Sequence, residues 1–207
     1  MKILAIGAHP DDIEFGCGGA LAKFADTFKI SMLVMTRGDR GGKTSVRWRE
    51  QKRSASILGA KLFCGGFKDT EVPMSRGVIT LVEKIIKREK PDIIFVHHPS
   101  DTHQDHRNTA QAAITAARYI KNVLFYEVPT TSDFSPANVF VDISSSIKDK
   151  LRLLDAHKSQ AYATRIASLS IFDAAKATAT FRGYQNRARY AEVFAPLRLS
   201  IDCFVAK

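Results

Sequence analysis

The run Lys2-Ile3-Leu4-Ala5-Ile6-Gly7-Ala8 constrains the fold more than any other stretch of the chain. It is apolar without alternation. A strand needs that composition only when both faces of its sheet are covered, which is the condition of parallel sheets with crossover helices. The run breaks at His9-Pro10-Asp11-Asp12. A glycine-rich turn, Gly16-Cys17-Gly18-Gly19, then opens a helix expected over 16–29, where Leu21, Phe24, Ala25 and Phe28 recur at helical spacing. Ile30 to Thr36 is a second buried strand. Strand, helix and strand make a βαβ unit, whose crossover is right-handed.

The same alternation continues down the chain. Arg37 to Thr44 is a basic, glycine-rich loop, and a helix runs from Val46 to Leu58 before Gly59 stops it. Lys61 to Cys64 is a short strand. Val78, Leu81, Val82, Ile85 and Ile86 mark an amphipathic helix, and Asp92 to Val96 is another buried strand. That strand ends in a second polar cluster, His97 to His106, followed by an alanine-rich helix over 108–118. Strands are expected at Val123–Tyr126 and Val139–Ile143, helices through Ile147–Leu154 and Ile171–Arg182, and a strand or extended edge over Tyr190–Ala206. No repeat, linker or boundary divides the 207 residues, so the expected architecture is one doubly wound α/β domain spanning 1–207. Ligands of such folds lie beyond the C-terminal strand ends, where strand order reverses. Both polar clusters fall at strand ends.

Composition narrows the classes of function. No apolar run approaches the length of a membrane span. Three scattered cysteines, Cys17, Cys64 and Cys203, suit free thiols in a reducing compartment, and cytoplasm is the expected location. The net charge of +10 points to an anionic partner or to solubility alone. Nucleic acid is not expected, because no aromatic residues interleave with the basic ones as a stacking platform requires.

The two clusters supply chemistry when joined. His9, Asp12 and His106 are a ligand set suited to a catalytic zinc that keeps one position open for water. Asp11 would take the proton of that water. His103 would stabilise a developing oxyanion or protonate a leaving amine, with Asp105 orienting it through the other ring nitrogen. Two histidines and a carboxylate also describe non-haem iron sites, so Fe2+ or another divalent ion stays open, with the α/β pattern favouring zinc hydrolysis. Alone, His9-Pro10-Asp11-Asp12 reads as a helix cap. Four of the six histidines lie within 97–106 and a fifth is His9, which makes two such strand ends hard to read as chance. Gly16, Gly18 and Gly19 do not match the spacing of a dinucleotide fingerprint, and carboxylates stand where a pyrophosphate would lie.

Ala8-His9-Pro10-Asp11-Asp12 together with His103-Gln104-Asp105-His106 resembles the PIG-L/LmbE-like de-N-acetylases. Thr36-Arg37-Gly38-Asp39 is similar to the family's loop after the second strand, which usually has Glu where Asp39 stands. Arg47-Trp48-Arg49-Glu50 resembles its Arg-x-x-Glu helix start, and His157-Lys158-Ser159-Gln160 its His-x-Ser-Gln segment. Arg182-Gly183 and Tyr190-Ala191-Glu192-Val193-Phe194 look like the C-terminal segment of the bacillithiol-type, small-glycoside branch. The resemblance implies a Rossmann-like fold and removal of acetyl from N-acetylglucosamine-type sugars. It implies zinc on His9, Asp12 and His106, Asp11 as base, and His103 as acid or electrophile backed by Asp105. It also implies a homo-oligomer, dimer or hexamer. Arg47 would contact the sugar or its aglycone, Arg37 an anionic group, and Asp39 would lie near the sugar. A related amidase acting on a non-acetyl conjugate, of the mycothiol-conjugate type, is the alternative.

Overall fold

The computed structural model describes residues 1–200. Strands β1 (Lys2–Gly7), β2 (Lys29–Thr36), β3 (Lys61–Phe67), β4 (Ile93–His97), β5 (Asn122–Tyr126), β6 (Val139–Asp142) and β7 (Ala191–Arg198) form one sheet. Its order is β3-β2-β1-β4-β5-β7-β6. The first five strands are parallel, while β7 runs antiparallel to both β5 and β6. Strand order reverses between β1 and β4, so the crevice of a doubly wound fold opens where the two polar clusters emerge.

The unbroken apolar run of β1 does what its composition requires. Ile3 and Ala5 face one core layer and Leu4 and Ile6 the other, all fully buried. Helices α1 (Asp12–Phe24), α2 (Thr44–Ile57), α5 (Ile147–Asp155) and α6 (Ile171–Asn186) contribute to the first layer; α3 (Arg76–Glu89) and α4 (Gln104–Ala116) cover the second. The doubly wound, mostly parallel fold with helices on both faces is therefore as expected. Positions 201–207 of the expected tail strand, with Cys203, lie outside the described residues.

Two of the element boundaries that differ from expectation matter to the site. Helix α1 begins at Asp12, so Gly16, Gly18 and Gly19 lie inside it rather than in a turn before it. The reason is packing. A Cβ on Gly16 would sit 2.1 Å from Cδ2 of Tyr126, a fully buried ring whose hydroxyl donates to the Ile6 carbonyl at 2.8 Å. Glycine there lets α1 lie close against the sheet. Helix α4 likewise begins at Gln104 instead of 108, which puts Asp105 and His106 in its first turn and His103 at its N-cap.

Candidate active site

The end of β1 and the end of β4 deliver the site. His9 Nδ1, Asp12 Oδ2 and His106 Nε2 converge on one another, with separations of 3.1 Å (His9 to His106), 3.3 Å (His9 to Asp12) and 3.5 Å (His106 to Asp12). Four ligands in a tetrahedron about 2.0–2.2 Å from a metal are about 3.3–3.6 Å apart, so this triangle is close to the size of one tetrahedral face. The outward nitrogens define which atoms are free. His106 Nδ1 lies 3.2 Å from Asp101 Oδ2 and 3.2 Å from the Thr130 hydroxyl. His9 Nε2 lies 3.1 Å from both Asp105 Oδ2 and Asp69 Oδ1. With the ring protons on those carboxylate-facing atoms, two imidazole lone pairs and a carboxylate oxygen point at one spot. Such a donor set repels itself unless a cation lies among it, so the residues fit a divalent metal.

The surrounding charges agree. Burial pushes the Asp12 carboxyl up, but His106, His97 and His9 outweigh it and hold it well below the usual carboxylate range. Burial also opposes a charged His9, yet Asp105, Asp12 and Asp69 overcome it and raise its pKa well above normal. The pocket is built to hold positive charge. His9-His103-His106, Asp12-His97-His106 and His9-Asp69-Asp105 are further trios compact enough for a metal, and they overlap at these same atoms.

Asp11 stands beside this spot in a strained backbone, with φ 95°. It makes no cap bond to α1, so the simple capping reading fails. Its Oδ2 accepts from Arg47 Nη2 at 3.2 Å, and the same nitrogen donates to the Pro10 carbonyl at 2.7 Å. Burial raises the Asp11 pKa, Arg47 pulls it down and Asp12 pushes it up again, leaving it at about 6. His103 Nδ1 accepts the Asp105 amide at 3.2 Å, so its proton sits on Nε2. Burial and the nearby His9 and His106 lower its pKa, which keeps the ring neutral and Nε2 a donor.

Several expected roles change. Asp105 does not back His103: its carboxylate faces His9 and accepts the amides of Thr70 (2.7 Å) and Val72 (3.1 Å). The early start of α4 turns that side chain toward β1 and the β3–α3 loop. Arg47 lines the cleft but is largely engaged by the protein, with Nε alone left without a partner. Its guanidinium donates to Pro10, Asp11 and the Gly38 carbonyl (3.2 Å), and a Cβ at Gly38 would meet it at 2.2 Å. Arg37 lies outside the cleft, stacked over Trp48 at 5.5 Å from the ring centre in a separate depression with Arg49 and Lys52. Asp39 spends Oδ1 on the Asp69 amide at 3.0 Å, tying two loops together.

Other residues that sequence reasoning passed over stand against the site. His97 is fully buried behind Asp12, 3.0 Å from its Oδ2, and its ring stacks on His106 at 4.0 Å. Burial and His106 lower its pKa to about 4. Asp69, Asp101 and Thr130 stand behind His9 and His106. Their only sequence signal was position, just past the ends of strands β3, β4 and β5. His98 turns away, against Phe125 and Phe134. The open cleft over the site, about 490 Å³, is lined by His9, Asp11, Asp12, His103 and His106 together with Arg40, Asp69, Gln160 and Arg165.

Comparison with known proteins agrees with this geometry. Residues 4–117 match the family model PIG-L, GlcNAc-PI de-N-acetylase, which takes in both clusters. The chain is 38% identical over 172 residues to the uncharacterized deacetylase YaiS of Escherichia coli, covering 76% of this chain and 90% of that protein. It is 32% identical over 186 residues to diacetylchitobiose deacetylase of Thermococcus kodakarensis, covering 77% and 70%. The N,N'-diacetylchitobiose deacetylase of Pyrococcus horikoshii, solved with its inhibitor MPG, superposes with a TM-score of 0.81 at 26% identity over 95% of this chain and 83% of that one. With the family model spanning both strand ends and a 38%-identical relative covered almost end to end, the chain belongs to the PIG-L family of de-N-acetylases.

Proposed function

We propose that this chain is a zinc-dependent hydrolase that removes the acetyl group from an N-acetylglucosamine-type sugar. His9, Asp12 and His106 hold the metal, Asp11 is the general base, and His103 is the electrophilic partner. The observation that carries the reading is the convergence of His9 Nδ1, Asp12 Oδ2 and His106 Nε2 within 3.1–3.5 Å of one another. All three residues line the cleft, whereas His97, the alternative partner of Asp12 and His106, is fully buried behind it. The named activities of the T. kodakarensis and P. horikoshii proteins support a sugar acetamide as substrate.

Zinc on these three atoms would polarise the amide carbonyl and lower the pKa of a bound water from about 15.7 to about 7. The chain's own residues do the rest. The Asp11 carboxylate, kept partly ionised by Arg47, takes the proton of the attacking water. His103 Nε2–H donates to the carbonyl oxygen as it gains charge, a contact worth roughly 3 kcal/mol. The Asp11 carboxylic acid then returns its proton to the departing nitrogen, and acetate and a free amino sugar leave.

Acetate release from N-acetylglucosaminides by the zinc-loaded protein, with metal content measured in parallel, tests the reading. Asp11→Asn is expected to keep its zinc and lose on the order of 10²–10⁴ in kcat, the range for a general base. Asp12→Ala is expected to lose the metal. Wild-type turnover by the Asp11 variant refutes the base assignment, and amine release from non-acetyl conjugates alone replaces the substrate class.

A further inference from the structure

We propose that the pole of the sheet opposite the active site holds a second ligand site, a cavity for a small molecule that carries a carboxylate or phosphate head on an apolar body. The site stands apart from the deacetylase reading: none of its residues lines the cleft over His9, Asp12 and His106.

The cavity opens where β1, β2 and β3 begin, and its volume is about 410 Å³. Pockets for small molecules fall in the range of about 300–1,000 Å³ and combine an apolar lining with a few polar groups. Here Ile3, Ile30 and Leu58 are buried in the lining, and Phe28, stacked on Phe24 at 5.2 Å, is half-buried. The rest of the lining is basic. Lys2, Lys29, Lys61 and Arg88 are exposed there, against a single lining carboxylate, Glu89. Glu89 is already engaged: it accepts the Ser31 hydroxyl at 3.1 Å and Lys61 Nζ at 3.2 Å, and lies 3.4 Å from Arg88 Nε. No histidine lines the cavity, so the excess of cations does not depend on a protonation state.

Strand register makes that excess unfavourable. Lys2 and Lys29 are directly opposite each other in the parallel β1–β2 pair, so both side chains leave the same face of the sheet. Like charges opposite each other across two strands are destabilising. Among the described residues neither ammonium has an ion-pair or hydrogen-bond partner; Asp92, the nearest acid by contact, takes the Lys2 backbone amide at 2.8 Å and does not line the cavity. The helix ends beside the cavity do not call for the lysines either. The last carbonyls of α1 and α2 are capped by the amides of Phe28 and Ala60, at 2.8 Å each. An oxyanion set between Lys2 and Lys29 would relieve their repulsion through charge-assisted hydrogen bonds. An apolar body attached to it would cover Phe28 and Ala25.

The test titrates three probes calorimetrically into the zinc-loaded full chain: phenylbutyrate, phenylbutyl phosphate and the neutral phenylbutanol. At least one anion is expected to bind roughly ten- to a hundredfold tighter than the alcohol, the range for hydrogen bonds to charged groups. The tighter anion identifies the head group as carboxylate or phosphate. In the Lys2→Gln/Lys29→Gln double variant, which alters only exposed side chains, the anion is expected to bind about as weakly as the alcohol. Lys87→Gln, an exposed lysine of α3 outside the cavity, keeps the wild-type advantage. Amide NMR shifts on adding the tighter anion are expected at Ser31, Gly59 and Glu89 and not at Asp11 or His103. Equal affinity for all three probes, or no binding of any, overturns the site. An anion advantage that survives the double variant, or shifts at Asp11 and His103 in place of Ser31 and Gly59, as coordination of the head group to zinc would give, also overturns it.

Discussion

Replacing Asp105 by Asn separates the two roles that carboxylate could play. In the structure Oδ2 accepts from Thr70 N at 2.7 Å and faces His9 Nε2 at 3.1 Å, while Oδ1 accepts from Val72 N at 3.1 Å. Burial pushes this carboxyl up, but His9 and the two amides outweigh it and hold it below the usual range. An asparagine has one acceptor oxygen for those donors. If the oxygen keeps Thr70 and His9, the amide NH2 faces the Val72 N–H, and one buried donor is left unsatisfied at a cost of about 1–3 kcal/mol. If the amide is flipped, its NH2 faces the Thr70 N–H and His9 Nε2, so Thr70 N is left unsatisfied and the His9 proton is held by Asp69 alone. Either way the imidazole loses one of its two anionic partners and keeps Asp69 at 3.1 Å, and loss of such an outer-shell group typically costs 10–100-fold in metal affinity.

Two measurements on Asp105→Asn resolve these costs. The loss of about 1–3 kcal/mol without metal lowers Tm by roughly 2–4 °C per kcal/mol for a chain of this size. At a fixed excess of buffered zinc, the affinity loss removes roughly a further 1.4–2.7 kcal/mol of linked stability. The Tm deficit is therefore expected to be larger with zinc than with chelator, and competition against a chromophoric chelator is expected to show the weaker binding directly. Should the variant bind zinc as tightly as the wild type and lose only kcat, the assignment of Asp105 to His9 is wrong, and the carboxylate works on His103 after all.

Arg47 lowers the pKa of Asp11, so its removal raises it. A base must be deprotonated to act; hence the acid limb of kcat/KM for Arg47→Met is expected to move to higher pH, while Arg47→Lys, which keeps the charge, holds the limb near its wild-type position despite lower activity. An acid limb that stays put in the Met variant removes Asp11 as the titrating base. The glycines of α1 are expected to split by their surroundings. At Gly16 an added methyl gains about 1 kcal/mol of helix propensity but meets the Tyr126 ring at 2.1 Å, so Gly16→Ala is expected to lose about 2 kcal/mol net in a denaturant melt. At Gly18 the methyl meets Leu153 at an ordinary 3.5 Å, and Gly18→Ala is expected to gain up to about 1 kcal/mol; a Gly16 variant as stable as the Gly18 one contradicts the close-packing account.

The fold was legible because burial on both faces leaves a mark on every residue of a strand. The apolar runs at 2–8, 30–36, 92–96 and 123–126 needed no alternation, and each is a parallel strand of the central sheet. Helix starts were less legible. Glycine in a sequence signals a turn unless something large must come close, and nothing local to Gly16 reveals that Tyr126, on β5, is that partner. Likewise Gln104 to Arg107 carry too little apolar periodicity to declare a helix, so the first turn of α4 was hidden by the very residues that make it chemically useful.

The site divides along the same line. Which residues arrive was readable from strand ends, since a doubly wound sheet collects whatever follows its strands at the switch point. Which partner each one faces was not, because that depends on side-chain direction within a single helical turn. Asp105 and His106 are neighbours in the first turn of α4, yet His106 lies against Asp12 while Asp105 reaches His9 from the opposite side. Arg47 and Arg49 are two apart on α2, and one is buried against Asp11 while the other is exposed beside Lys52. The carboxylates behind His9 and His106 are the extreme case. Asp69 and Asp101 carry no motif at all, yet they face the outward nitrogens of His9 and His106 and so keep the inward lone pairs free. Without them the ligand atoms would be the same three side chains with no fixed tautomer. The specificity of the centre therefore resides as much in the β3–α3 and β4–α4 loops as in the histidines those loops support.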